Sequence, residues 1–149
     1  MPDDTIRLDL PANLKYLHLV GSCIEGVLMR IEGLADPEKQ VYNLQLAAQE
    51  LCTNIVEHAY SGRDKARIRV SLSLEANPIQ LVLEFWDTGR SFEPSMVPPP
   101  ALGEPQVHGF GLFLVQQLVD DIEYRPMVGG NHWRLAKRLH RTRKRSREI

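Results

Sequence analysis

Glu50, Asn54 and His58 stand four residues apart in the stretch LAAQELCTNIVEHAY (residues 46–60), so on an α-helix they stack about one turn from each other. A carboxylate, an amide and an imidazole in a row suit a metal and phosphate site. Asp87 and Gly89 close an apolar strand as Asp-x-Gly, where a fixed carboxylate could accept a hydrogen bond from an exocyclic amine in a closed pocket. Gly109 and Gly111 open a later helix. Glycines there let the backbone approach a ligand closely, and the first amides of the helix can hold phosphate. Each pattern also has an ordinary reading by itself, as a solvated helix face, a turn, or a helix that starts on glycine.

The elements that must position these residues follow from periodicity. Leu44, Ala48, Leu51, Ile55 and Ala59 recur at helical spacing opposite the polar stripe, which predicts one amphipathic helix from Asp36-Pro37, as cap and first position, to Tyr60. Ile6, Leu8 and Leu10 alternate with Arg7 and Asp9, predicting a strand over 5–10 that ends at Pro11. Asn13 is the expected N-cap of a core helix over about 14–33. Strands are predicted over 66–74 and 79–86, and two short ones over 122–125 and 133–138 around Gly129-Gly130-Asn131. Between Asp87 and the last helix, residues 93–108 hold five of the ten prolines and no regular period, as a functional lid would. Paired strands with helices between them imply an α+β two-layer sandwich, its sheet mixed and mostly antiparallel, with about three helices on one face.

Composition sets the outer bounds. A chain of 149 residues, 43% hydrophobic and 25% charged, fits one domain, expected over 1–139. Seven Lys or Arg against one acid in 137–149 make that end about +6, which leaves about −7 for the rest of the formal net charge of −1. An acidic body is a poor nucleic-acid surface, and residues 140–149 read as a basic, disordered tail. Cys23 and Cys52 fall in no metal-ligand pattern and are expected to be buried thiols. The first residues, MPDDTIRLDL, lack a signal pattern and no apolar run approaches the roughly 18 residues of a spanning helix, so a cytoplasmic protein without membrane contact is expected.

Together the three patterns resemble the nucleotide site of the GHKL superfamily, the Bergerat-fold ATPases, and most closely its RsbW-type anti-sigma-factor serine/threonine kinases. The N-box is matched by Glu50-Leu51-Cys52-Thr53-Asn54-Ile55-Val56-Glu57-His58-Ala59-Tyr60, the G1 box by Asp87-Thr88-Gly89-Arg90-Ser91-Phe92, and the G2 box by Gly109-Phe110-Gly111-Leu112-Phe113-Leu114-Val115. The resemblance spans residues 5–139 with the lid in the family's place. It implies ATP and Mg²⁺ as cofactors, Asn54 as the Mg²⁺ ligand, Glu50 as general base, and Asp87 on the adenine amino group. Gly89 would let the backbone reach the adenine, and Gly109, Phe110, Gly111 and Leu112 would lie along the phosphates, with His58 in a structural role. The function implied is a protein serine/threonine kinase that phosphorylates a STAS-domain antagonist and sequesters a sigma factor; homodimerisation is also within the family's habits. Two departures stand out. Ser91 replaces the box's second glycine, and the lid has no Lys or Arg, so a cation for the γ-phosphate must come from Arg90, His108 or a partner. They motivate an alternative, a nucleotide-gated module that sequesters a partner without phosphoryl transfer.

Overall fold

The computed structural model describes residues 4–60, 66–89 and 110–142; the predicted lid over 93–108, Arg90, Ser91, His108, Gly109 and residues 143–149 lie outside the described residues. Nine elements follow one another among the described residues. They are β1 (Asp4–Pro11), α1 (Leu14–Leu28), α2 (Pro37–Asn54), a π-helical turn (Ile55–Tyr60), β2 (Arg67–Glu75), β3 (Gln80–Asp87), α3 (Phe110–Leu118), β4 (Asp121–Met127) and β5 (Gly130–Arg138).

Local chemistry accounts for most of the boundaries. The Asn13 side chain accepts from the backbone N–H of Lys15, capping α1 as expected. α1 stops at Leu28 rather than near Gly33, because the Met29 N–H turns back to the carbonyls of Glu25 and Val27, and Gly33 then takes a φ of +73°. Asp36 does not cap α2 with its side chain; it sits at φ 41°, and Pro37 supplies a first helical residue that needs no N–H partner. α1 buries Leu17, Val20, Ile24 and Leu28, and α2 buries Val41, Leu44, Ala47, Ala48, Leu51 and Cys52. The small Ala47 and Ala48 leave room for close approach in the core.

The sheet order is β1-β2-β3-β5-β4, and all four pairings are antiparallel. The parallel component expected of a mixed sheet does not occur among the described strands. Two helices between β1 and β2 return the chain twice, so β2 runs against β1, while β2–β3 and β4–β5 are tight hairpins. Ile68, Val70, Leu72, Leu81, Leu83, Phe85, Trp133 and Leu135 point from the sheet into one core with the three helices. Each such side chain contributes roughly 1.5–3 kcal/mol by leaving water. The other face carries Arg7, Arg69, Glu84, His132 and Arg134, in keeping with a two-layer sandwich.

Two expectations need correction. Cys23 is only half-buried; Cys52 is buried, and burial pushes its thiol up to about 12, so it remains an inert thiol at neutral pH. The body also continues past residue 139. Ala35 N–H donates to the His140 carbonyl at 2.8 Å, Thr142 N–H donates to the Gly33 carbonyl at 2.7 Å, and Leu34 bridges Arg141. The buried Gln40 side chain secures this end like a short strand. Its Oε1 accepts from His140 N–H at 3.0 Å, and its Nε2 donates to the His140 carbonyl at 3.1 Å and to the Ala35 carbonyl. Basic composition hid this pairing, because it is made by backbone groups.

Candidate functional site

Topology brings the candidate residues to one end of the sandwich. β1 runs to this end at Pro11, α1 leaves it, and α2 returns to it at Asn54; β2 starts there, with Arg67 paired to Pro11. β3 comes back and stops at Asp87, between Ile68 of β2 and Asn131 of β5. α3 ends at Leu118 and feeds Asp121 of β4 at the far end, so its first turn from Phe110 is directed to the Asp87 end. Asn54, Asp87, Gly89 and the start of α3 therefore share one rim, as the sequence patterns imply. Among the described residues, Gly111 is placed by its backbone only.

Asn54 is buried, and its Nδ2 donates to the Glu50 carbonyl one turn earlier at 2.8 Å. That bond commits the amide nitrogen and leaves Oδ1 as the side chain's acceptor for a ligand. Glu50 is half-buried on the preceding turn. Immediately after Asn54 the helix widens into the π-helical turn. The single α-helix expected through Tyr60 therefore gives way at Ile55, and the side chain of His58 lies outside the described residues. Among the described residues no three His, Cys, Asp or Glu side chains could hold a metal together. A Mg²⁺ ion at the Asn54 oxygen would take its other ligands from phosphates and water, which is its habit.

Asp87 carries the more telling geometry. It is 5% exposed. Its Oδ1 accepts from Gly89 N–H at 2.9 Å and from Asn131 Nδ2 at 2.8 Å, while its Oδ2 is buried with no hydrogen-bond partner among the described residues. A buried acceptor left unmade costs roughly 1–3 kcal/mol. Burial raises the carboxyl above its ordinary value of 3.8, and the bonds from Asn131 and Gly89 pull it partly back. One oxygen is thus saturated and the other is reserved for a donor from outside, which fits the exocyclic amine of a nucleobase.

The strand end is held by a close approach that only glycine permits. A Cβ on Gly130 would lie 2.0 Å from the Asp87 carbonyl oxygen. The side chain of Leu112 is a core residue at 1% exposure, so only its main chain could meet a phosphate. Asn131 falls in the expected Gly129-Gly130-Asn131 turn and Tyr124 in the expected strand over 122–125, yet both belong to the Asp87 network. The signal available was an amide in a strand whose alternate positions, Trp133 and Leu135, are apolar.

Comparison with known proteins identifies the family. The family described as histidine kinase-like ATPase domain matches residues 10–137. The chain is 30% identical over 128 residues to the serine-protein kinase RsbW of Bacillus cereus and to that of Bacillus anthracis, covering 80% of this chain and 76% of each relative. Among solved structures, the RsbU and RsbW domains of Rv1364c from Mycobacterium tuberculosis superpose with a TM-score of 0.67 at 20% identity, over 95% of this chain and 34% of that one. The histidine kinase domain of a blue-light activated histidine kinase from Erythrobacter litoralis gives a TM-score of 0.56 at 22% identity, over 87% of this chain and 61% of that one. With an antiparallel sheet backed by three helices and the boxes in family order along it, the chain belongs to the histidine kinase-like ATPase domain family, in its RsbW-type serine-protein kinase branch.

Proposed function

We propose that this chain is an ATP- and Mg²⁺-dependent protein serine/threonine kinase of the cytoplasm, which acts as an anti-sigma factor and phosphorylates a STAS-domain antagonist. The observation that carries the reading is the unpartnered Oδ2 of Asp87 beside a saturated Oδ1. That oxygen accepts the adenine 6-amino group, and Gly89 keeps the pocket wall at backbone height. Asn54 Oδ1 would hold Mg²⁺, which would supply charge neutralisation on the phosphates. In this reading the backbone at Gly109, Phe110, Gly111 and Leu112 would meet the phosphates and residues 93–108 would be the lid, Gly109 and 93–108 lying outside the described residues. Glu50 takes the proton from the acceptor hydroxyl as its oxygen bonds to the γ-phosphorus; the bond from that phosphorus to the β,γ-bridging oxygen breaks and ADP leaves. The partners are proteins, a STAS-domain antagonist and a sigma factor, with a second copy of the chain in a homodimer; nucleic acid and membrane are not among them. No helix among the described residues is long and apolar enough to cross a membrane.

Transfer of labelled phosphate from ATP to a cognate STAS protein tests this reading. The expected result is a phosphorylated Ser or Thr on that protein, lost in Asn54→Ala. Binding of ATP with no transfer would favour the second reading, a nucleotide-gated module that sequesters its partner, for which the absence of Lys and Arg from 93–108 is the supporting observation.

A further inference from the structure

We propose that Asn131, backed by Tyr124, is the positioning residue that holds Asp87 ionised in one orientation and so sets a preference for adenine over guanine nucleotides. The inference rests on the nucleotide-binding reading.

Asn131 stands opposite Asp87 in the β3–β5 ladder and is fully buried. Its Nδ2 donates to Asp87 Oδ1 at 2.8 Å, with the Gly89 carbonyl 3.4 Å away, and its Oδ1 accepts from the Tyr124 hydroxyl. Tyr124 belongs to β4, where its ring lies against Trp133 with centroids 4.5 Å apart. Hydrogen-bond direction therefore runs one way, from phenol to amide to carboxylate. Each donor in such a chain polarises the next, and donors aimed at Oδ1 stabilise the charged carboxylate more than the neutral acid. A flipped amide would set its oxygen against the carboxylate.

The consequence for base choice is chemical. Adenine presents an amino donor at its 6-position, and an ionised Oδ2 accepts from it. Guanine presents a carbonyl there, which an ionised Oδ2 repels but a protonated one could satisfy. Keeping Asp87 ionised therefore keeps guanine out, and a site built to bond a donor rejects the analogue that lacks it. Burial works against ionisation here, while Asn131 and Gly89 work for it, with no charged side chain among the causes. Ile68 faces Asp87 from β2; Tyr124 on β4 and Glu50 on α2 are titratable groups of the same end of the sandwich.

Fluorescent ATP and GTP analogues titrated into the wild type, Asn131→Ala and Tyr124→Phe between pH 5 and 8 give the test. In the wild type the preference for ATP is expected to hold across neutral pH. In Asn131→Ala the ATP to GTP affinity ratio should fall by at least about tenfold, the scale of one charge-assisted hydrogen bond. The pH below which the preference disappears should move upward. Tyr124→Phe, which keeps the ring in the core, should shift both in the same direction by less. Equal losses for ATP and GTP with no movement in pH would mark Asn131 and Tyr124 as structural only and overturn the inference, as would an unchanged ratio in both variants. A wild type that binds neither nucleotide would overturn the nucleotide reading itself, and this inference with it.

Discussion

Asp87 shows how a single side chain can be read from its two oxygens. Oδ1 is saturated by Gly89 and Asn131, and Oδ2 is buried without a partner, so the residue is prepared for one further donor. The same burial links it to pH. The folded carboxyl titrates above 3.8, so as pH rises through 3.8 the unfolded chain ionises first and is favoured. Stability contributed by this group is therefore full below 3.8 and falls as pH climbs to the folded value. Thermal melts of wild type and Asp87→Asn across acid pH should show that fall only in the wild type, as a difference between the two curves; parallel curves would contradict it. ATP has the opposite effect, since an amine donor favours the carboxylate. Asp87 and Asn54 were legible in the sequence as residue types in a family pattern. Asn131 was legible only as the end of the Gly129-Gly130-Asn131 turn, because its contact with Asp87 spans 44 positions and exists only once β5 pairs with β3.

At the scale of elements, the strand alternations in β2 and β3 and the Asn13 cap were legible because each depends on neighbours within a few residues. The π-helical turn over Ile55–Tyr60 was not, since the apolar spacing through Ala59 fits an ordinary helix and gives no sign of widening. Leu112 illustrates a conflict inside the sequence itself. It belongs to the glycine-started box, which implies ligand contact, yet it stands three and seven residues before Val115 and Val119, and its side chain is buried with theirs in the core. The β3–β5 junction makes the sharpest prediction about an element. Because the Asp87 carbonyl fills the space where a Gly130 Cβ would be, Gly130→Ala must push the two strand ends apart. Forced overpacking of this kind costs roughly 1–3 kcal/mol. A thermal melt should show Tm lowered by several degrees, with weaker ATP binding because Asp87 moves with its strand; an unchanged Tm would show that the junction relaxes freely.

For the whole molecule, the order of elements does the work of assembling the site. Two helices between β1 and β2, a β2–β3 hairpin, and α3 feeding the β4–β5 hairpin bring Asn54, Asp87, Asn131 and the first turn of α3 to one end, although they lie far apart in the chain. The opposite layer is a charged sheet face, and residues 140–142 extend the body by pairing with the α1–α2 connection. Fold class was legible because it follows from counting and spacing elements. The all-antiparallel pairing was less so, since it depends on how often the chain turns back between strands. Family membership then supplies the expectation of phosphoryl transfer, and the rim supplies the candidate residues for it. Calorimetric titration of Mg-ATP into the wild type and Asp87→Asn tests the central claim most directly. The account predicts saturable binding at one site per chain, weakened at least about tenfold when Asp87 loses its carboxylate; equal binding by both proteins would contradict it.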